Sequence, residues 1–129
     1  MWLDNIAVLL RATTVRNLPR NSVFVHTIPA NVPTGAMLAS GYQGMKIDPE
    51  LPGYHKGSLQ LIVRAKTSLA AEEIAQEISE ILDFEGREVG DILINYIRPR
   101  HLPVVFPSSK GDHYEASVNF DICFVRQIG

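Results

Sequence analysis

The last part of the chain alternates between apolar and polar residues. The even positions from residue 114 to residue 124 are all apolar, while the odd positions begin with Glu115, Ser117, Asn119 and Asp121. Successive side chains of a strand point to opposite faces, so this strand has one apolar face and one polar face. Residues 59–65 alternate in the same way apart from Ile62. The pattern predicts two half-buried strands.

A helical period appears in two other segments. After Thr67 or Ser68, either of which suits a helix N-cap, one apolar stripe is formed by Ala71, Ile74, Ala75, Ile78, Ile81 and Leu82. A shorter stripe within residues 2–12 contains Trp2, Ile6, Leu9 and Leu10. The two stripes predict a long amphipathic helix in the middle of the chain and a short helix at its beginning.

Three further strands are predicted at 23–28, 36–41 and 92–97, where β-branched and aromatic residues are frequent. Glycines and prolines at 42–56 and 98–112 predict two long exposed connections. The expected fold class is α+β, a mainly antiparallel sheet packed against one long amphipathic helix, with an N-terminal helix. The length fits a single domain over residues 1–129.

Composition narrows the range of functions. The formal net charge of -2 gives no overall attraction to nucleic acid, and no apolar run approaches the ~20 residues that a membrane-spanning helix needs. Cys123 is the single cysteine, which fits a reducing compartment. The acidic start at Asp4 is unlike a secretory signal, so we expect synthesis in the cytoplasm.

No residue set predicts catalysis. Glu73, Glu77 and Glu80 lie opposite the apolar stripe of their helix, as expected for a solvated face. The four histidines fall in four separate segments without the spacing of a zinc protease helix. Cys123 lies within a predicted strand, where a structural thiol is more usual than a nucleophile. We therefore predict no catalytic, cofactor-binding or metal site.

The stretch from Arg98 to His101 is the one local concentration of positive charge. It suits contact with phosphates or with an acidic protein surface, and the apolar residues that follow it favour a protein interface. Candidate interface residues come from both long connections: Tyr42, Met45, Tyr54, His55, Lys56, Arg98, Arg100, His101, Val105 and Phe106. The substitution Phe106→Asp tests this assignment.

Two stretches, read together, resemble a known family. They are IDPELPGYHKG at 47–57, leading into LQLIVR at 59–64, and RPRHLP at 98–103 with SVNFD at 117–121. They resemble the tail terminator, or minor capsid, proteins of long-tailed bacteriophages over about residues 40 to 126, whereas the first 40 residues match in outline. The resemblance implies an α+β fold and an assembly role without catalysis.

The resemblance also implies a location and partners. Family members form a six-fold ring on the last ring of the tail tube, at the head-proximal end of the virion tail. This ring stops tube growth and offers a surface to the head-side connector or neck protein. The expected partners are therefore other copies of the chain, the tail tube protein and the neck protein. DNA is expected to pass through the ring without sequence-specific binding, and no membrane is involved.

Two other functions stay open at this point. A neck or head-completion subunit would also be a small α+β ring protein, and the sequence pattern hardly separates it from a terminator. A small enzyme or ligand-binding domain would need a concave site with convergent polar groups. The sequence does not identify such a site.

Overall fold

The computed structural model describes residues 2–41, 44–108 and 111–126. Within these ranges the helices are α1 (Trp2–Ala12) and α2 (Ser68–Ile81), with a 3-10 turn at Arg20–Ser22. The strands are β1 (Val23–Val25), β2 (Gly35–Ser40), β3 (Lys46–Ile47), β4 (Tyr54–Ala65), β5 (Phe84–Val89), β6 (Ile92–Pro99), β7 (Val104–Pro107) and β8 (Tyr114–Arg126).

All eight strands in this part of the chain join one sheet. Six of them lie side by side in the order β1-β2-β4-β8-β6-β5, and β3 and β7 pair with parts of β4 and β8. The long strands β4 and β8 lie at its centre and pair antiparallel over twelve residues, from Tyr54 opposite Val125 to Ala65 opposite Tyr114. β1 and β2 pair in parallel, whereas the other pairings are antiparallel. The short strand β3 extends the edge of β4 beyond β2, and β7 extends the edge of β8 beyond β6.

The alternation of β4 and β8 decides which side of the sheet is covered. Leu61 lies opposite Val118, and both are fully buried beneath the helices together with their apolar neighbours on the same two strands. The intervening residues of β4 and β8 are mostly partly exposed. The sheet therefore has a helix-covered face, which forms the core, and a face that we call the open face.

The two helices follow the predicted stripes. The Thr67 hydroxyl caps α2 by accepting a hydrogen bond of 3.1 Å from the backbone N–H of Ala70. The buried residues of α2 include Ala71, Ile74 and Ile78. In α1 the ring of Trp2 stacks on Phe124, with 5.4 Å between the ring centroids.

The prediction of one long helix facing the sheet is wrong. Strands hold 45% of the described residues and helices 23%, and α2 and α1 have 14 and 11 residues. A 14-residue helix is about 21 Å long, whereas the 13 residues of β8 extend for about 43 Å. α2 packs near β7 and α1 near the other end of β8, so two short helices share the covered face of a large sheet.

The two predicted connections are also partly wrong. The segment 42–56 contains β3 and the first residues of β4, and the segment 98–112 contains the end of β6 and all of β7. Strand β5 was not predicted. Both residues of β3 and four residues of β5 are exposed, so these edge strands lack the alternation that reveals a half-buried strand. β1 ends at Val25, before His26 with its positive φ of 72°.

Candidate interaction surfaces

The open face of the sheet carries polar and charged side chains. Arg64 of β4 lies opposite Glu115 of β8, and their Nε and Oε2 atoms are 3.9 Å apart. Farther along β8, the Nε of Arg100 is 2.7 Å from Oδ1 of Asp121. Both helices pack on the covered face, whereas on the open face the loop after β1 reaches Arg64, whose Nη1 donates hydrogen bonds to the carbonyls of Pro29 at 3.1 Å and Val32 at 3.4 Å. Asp121 is exposed, so that end of the open face is available for contacts with other molecules.

The predicted interface residues of the first segment fall on both sides of the sheet. Lys56 is exposed on the open face, whereas His55 points to the covered face, where its ring centroid is 5.2 Å from that of Phe124. Met45 is partly buried against the core. Tyr42 lies outside the described residues.

Tyr54 belongs to a small polar cluster around Cys123. A hydrogen bond with the Cys123 thiol raises the pKa of Tyr54. The Nδ2 of Asn95 is 3.6 Å from the same sulfur, because a register shift between Ile94 and Tyr96 brings Asn95 to it. Cys123 is buried although it lies on the polar side of β8, so its neighbours on β4 and β6 cover it. The burial of this thiol is consistent with the structural role that its place in a strand suggested.

The cations of the second segment are held by specific partners. Arg98 forms an ion pair with Glu85, and its guanidinium lies 5.0 Å from the centroid of the Tyr96 ring. The Nε2 of His101 accepts a hydrogen bond of 3.2 Å from the backbone N–H of Asn119. The proton of the neutral ring is therefore on Nδ1, which donates to the carbonyl of Leu102 at 2.7 Å. These contacts hold the chain in place between β6 and β7.

Two of the predicted interface residues meet in one shallow cavity. Lys56 and Arg100 line a cavity of about 260 Å³ on the open face, together with Lys46, Ser58 and Asp121. Lys46 and Asp121 are not among the interface residues predicted from the sequence. The polar alternation of β8 placed Asp121 on the exposed face, but no sequence pattern showed that Lys46 lies opposite Lys56.

The β7 segment exposes apolar side chains at every second residue. Leu102 is 75% exposed and Val104 is 56% exposed, while Phe106 is 37% exposed. Val105 points to the other side and packs against the core. Val104 and Phe106 lie on the same side of β7 because they are two residues apart on a strand, while the exposed Leu102 precedes the strand in a bend. Together they form an exposed apolar strip of the kind found in protein interfaces.

The described residues contain no group of three or more His, Cys, Asp or Glu side chains that could hold a metal ion. The acids Glu73, Glu77 and Glu80 line a wide groove on the outer side of α2, as their spacing predicted. None of the helices in the described ranges is long and apolar enough to cross a membrane.

Comparison with known protein families identifies the family to which the chain belongs. Residues 7–126 match the family described as bacteriophage tail terminator protein. This chain belongs to that family. The match confirms the resemblance and extends it into the first 40 residues, where the motifs had matched in outline. No curated protein matches the sequence.

Membership of this family indicates the general role of the protein. Tail terminators are structural proteins of the phage, which is consistent with a chain that acts without catalysis. The family also implies a place in the virion tail. The open face, the cavity that contains Lys56 and the strip on β7 are therefore surfaces to consider as contacts within a tail.

Proposed function

We propose that this terminator forms a closed ring, a hexamer, on the head-proximal end of the tail tube. The ring stops tube polymerisation and joins the tail to the head-side connector, and DNA passes through it without sequence-specific binding. Its partners are copies of itself, the tail tube protein and the neck protein. The family match over residues 7–126 supports this role over that of a neck subunit or an enzyme.

Two apolar patches at opposite ends of β8 carry the proposal. The hairpin patch consists of Ile47 and Leu51, which are 77% and 51% exposed in and after β3. The β7 patch consists of Leu102, Val104 and Phe106. A ring between a tube and a connector needs two separate surfaces for two different proteins, and the terminator has one at each end of its central strand.

The register of the sheet sets the separation of the patches. Val104 of the β7 patch lies opposite Ser117, while Tyr54, which follows the hairpin patch, lies opposite Val125. Eight residues of β8 separate these positions, which corresponds to about 26 Å. Patches this far apart cannot both lie at the centre of one ordinary interface, so they suit two different binding partners. We infer that β8 runs between the tube side and the head side of the ring.

The test compares the substitutions Leu102→Asp and Ile47→Asp in the full chain. Both side chains are largely exposed, so thermal unfolding should stay within about 2 °C of the wild type. Each variant should still form rings but should lose attachment to one partner, either the tail tube or the neck complex, in negative-stain images and in phage complementation. Val8→Asp is the matched control, because Val8 is 60% exposed on α1 and lies in neither patch.

The structure also explains why Phe106→Asp is a weaker test. Phe106 lies opposite Glu115 and is about two thirds buried, so the new carboxylate would repel Glu115 and disturb the edge of the sheet. The proposal is refuted if Leu102→Asp and Ile47→Asp both fold, cap tubes and bind the neck complex as well as Val8→Asp does.

A further inference from the structure

Two lysines face each other on the open face, and no carboxylate of the described residues forms an ion pair with either of them. Lys46 and Lys56 lie directly opposite in the β3–β4 pair, and both are exposed. Like charges at directly opposite positions destabilise a pair of strands. A pair of strands with lysines at these positions presents a concentrated positive charge to whatever contacts it.

Arg100 adds to this charge. It lines the same cavity of about 260 Å³, where Asp121 is the one carboxylate among the lining residues of the described chain. Asp121 is engaged with the Nε of Arg100 at 2.7 Å. Three cations and one carboxylate leave the cavity positive. We call these residues the basic cavity.

The outer side of α2 has the opposite charge. Glu72, Glu73, Glu77 and Glu80 line a groove of about 580 Å³ together with Arg16 and Leu69. Glu77 accepts a hydrogen bond of 2.9 Å from the backbone N–H of Arg16. Leu69 is 63% exposed, so the groove combines negative charge with an apolar side chain, as protein interfaces do. We call this surface the acidic face.

The two surfaces lie on opposite sides of the sheet. The basic cavity belongs to the open face, whereas α2 packs on the covered face against β4 and β8. They cannot meet within one subunit. A contact between them in two copies joins unlike patches, and repetition of such a heterologous contact builds a ring or a helical filament.

We propose that the basic cavity of one subunit binds the acidic face of the next copy, and that this contact forms the lateral interface of the ring. The inference rests on the proposed function, because it names the surfaces by which the ring closes. Every copy carries one surface of each charge, so all basic cavities of a closed ring find a partner. The apolar patches at the ends of β8 then remain free for the tube and the neck protein.

Nucleic acid fits the basic cavity less well than a second copy does. Arg100 is already paired with Asp121, and the chain has a net charge of -2. Duplex DNA bound there would also leave the acidic face, with its exposed Leu69, uncovered. Surfaces of complementary charge on the same molecule, one of each in every copy, favour self-association.

Charge reversal on each surface provides the test. One variant carries Lys46→Glu with Lys56→Glu, and the other carries Glu72→Lys with Glu73→Lys. The side chains of these two glutamates make no hydrogen bond or ion pair among the described residues. Each variant alone should associate at least about ten-fold more weakly than the wild type, because like charges then face each other. Light scattering coupled to size exclusion, with negative-stain imaging, measures ring formation.

An equal mixture of the two variants gives the decisive measurement. Each contact then pairs either the native surfaces or the doubly reversed surfaces, so rings of alternating subunits should form again. An even number of subunits, such as six, allows this alternation. Lys66→Glu with Arg87→Glu is the control, since it changes the net charge equally at exposed positions outside both surfaces and should leave the rings intact.

Three results would overturn the inference. If both variants form rings like the wild type, the lateral contact lies elsewhere while the proposed function stands. If the lysine variant keeps its rings but loses affinity for duplex DNA, the basic cavity is a nucleic-acid contact. If the wild type stays monomeric at high concentration and with tail tubes present, the ring itself is refuted, and the proposed function fails with it.

Discussion

The opposed lysines of the basic cavity should weaken the free subunit. Lys46 on the edge strand β3 lies opposite Lys56 on β4, and both side chains are exposed, so their repulsion is present whenever no partner covers them. The substitution Lys56→Gln keeps most of the length of the side chain and removes one of the two charges. We expect the isolated Lys56→Gln subunit to be more stable than the wild type, although the same substitution weakens the lateral contact.

The size of this gain follows from the geometry. Like charges directly opposite each other cost roughly 0.2–1 kcal/mol. With an unfolding entropy of about 2.1 cal/mol/K per residue, a chain of 129 residues should gain about 1–4 °C in melting temperature. The screening length falls from about 10 Å at 0.1 M salt to about 3 Å at 1 M salt. Most of the gain should therefore disappear at high salt.

Thermal unfolding of dilute protein, followed by circular dichroism at both salt concentrations, measures the effect. Lys66→Gln is the control, because Lys66 is an exposed lysine that lies outside the basic cavity. The reasoning is refuted if Lys56→Gln lowers the melting temperature at low salt, or if its gain is the same at both salt concentrations. Either outcome would mean that the two ammonium groups do not interact.

Two further predictions concern contacts that hold the helices. Thr67→Ala removes the cap of α2 and should lower the free energy of unfolding by about 1 kcal/mol, which denaturant titration would detect and an unchanged midpoint would contradict. The hydrogen bond from Asn5 lowers the pKa of Asp91 below its ordinary value of 3.8. The ionised carboxylate therefore stabilises the fold above that pH, and this contribution is lost as the pH falls through the lowered pKa. Asp91→Asn should unfold at a lower temperature than the wild type at pH 6, and the difference should shrink at pH 2.5; a constant difference would contradict the assignment.

Local patterns were enough to predict the centre of the fold. The alternation along β4 and β8 identified the two longest strands and their apolar faces, and the stripe after Thr67 identified α2. These signals are strong because each element buries one face completely and leaves the other face partly exposed. α1 was also predicted with its correct bounds, since its buried residues recur at helical spacing.

Cross-strand neighbours could not be predicted from local patterns. The pairing of Lys46 with Lys56 depends on the register of a short exposed strand, and neither lysine differs in sequence context from an ordinary surface lysine. The same holds for Arg100 and Asp121, which are 21 residues apart and meet because the chain returns beside β8. The residues of the basic cavity come together through the pairing register of the strands. Sequence periodicity predicts which residues are buried, but it does not predict which residues of two strands lie opposite each other.

The architecture separates stability from binding along the same strands. On β8 the even residues from Ala116 to Phe124 fill the core, while most odd residues, such as Asp121, lie on the open face. Because neighbouring side chains point to opposite faces, an odd position can change its charge or size without altering the packing beneath the helices. Substitutions on the open face should therefore change which proteins a terminator binds long before they change its fold. Substitutions on the helix-covered face have the opposite effect, because they change stability. Replacing a buried side chain such as Leu61 with alanine leaves a cavity and costs about 2–5 kcal/mol.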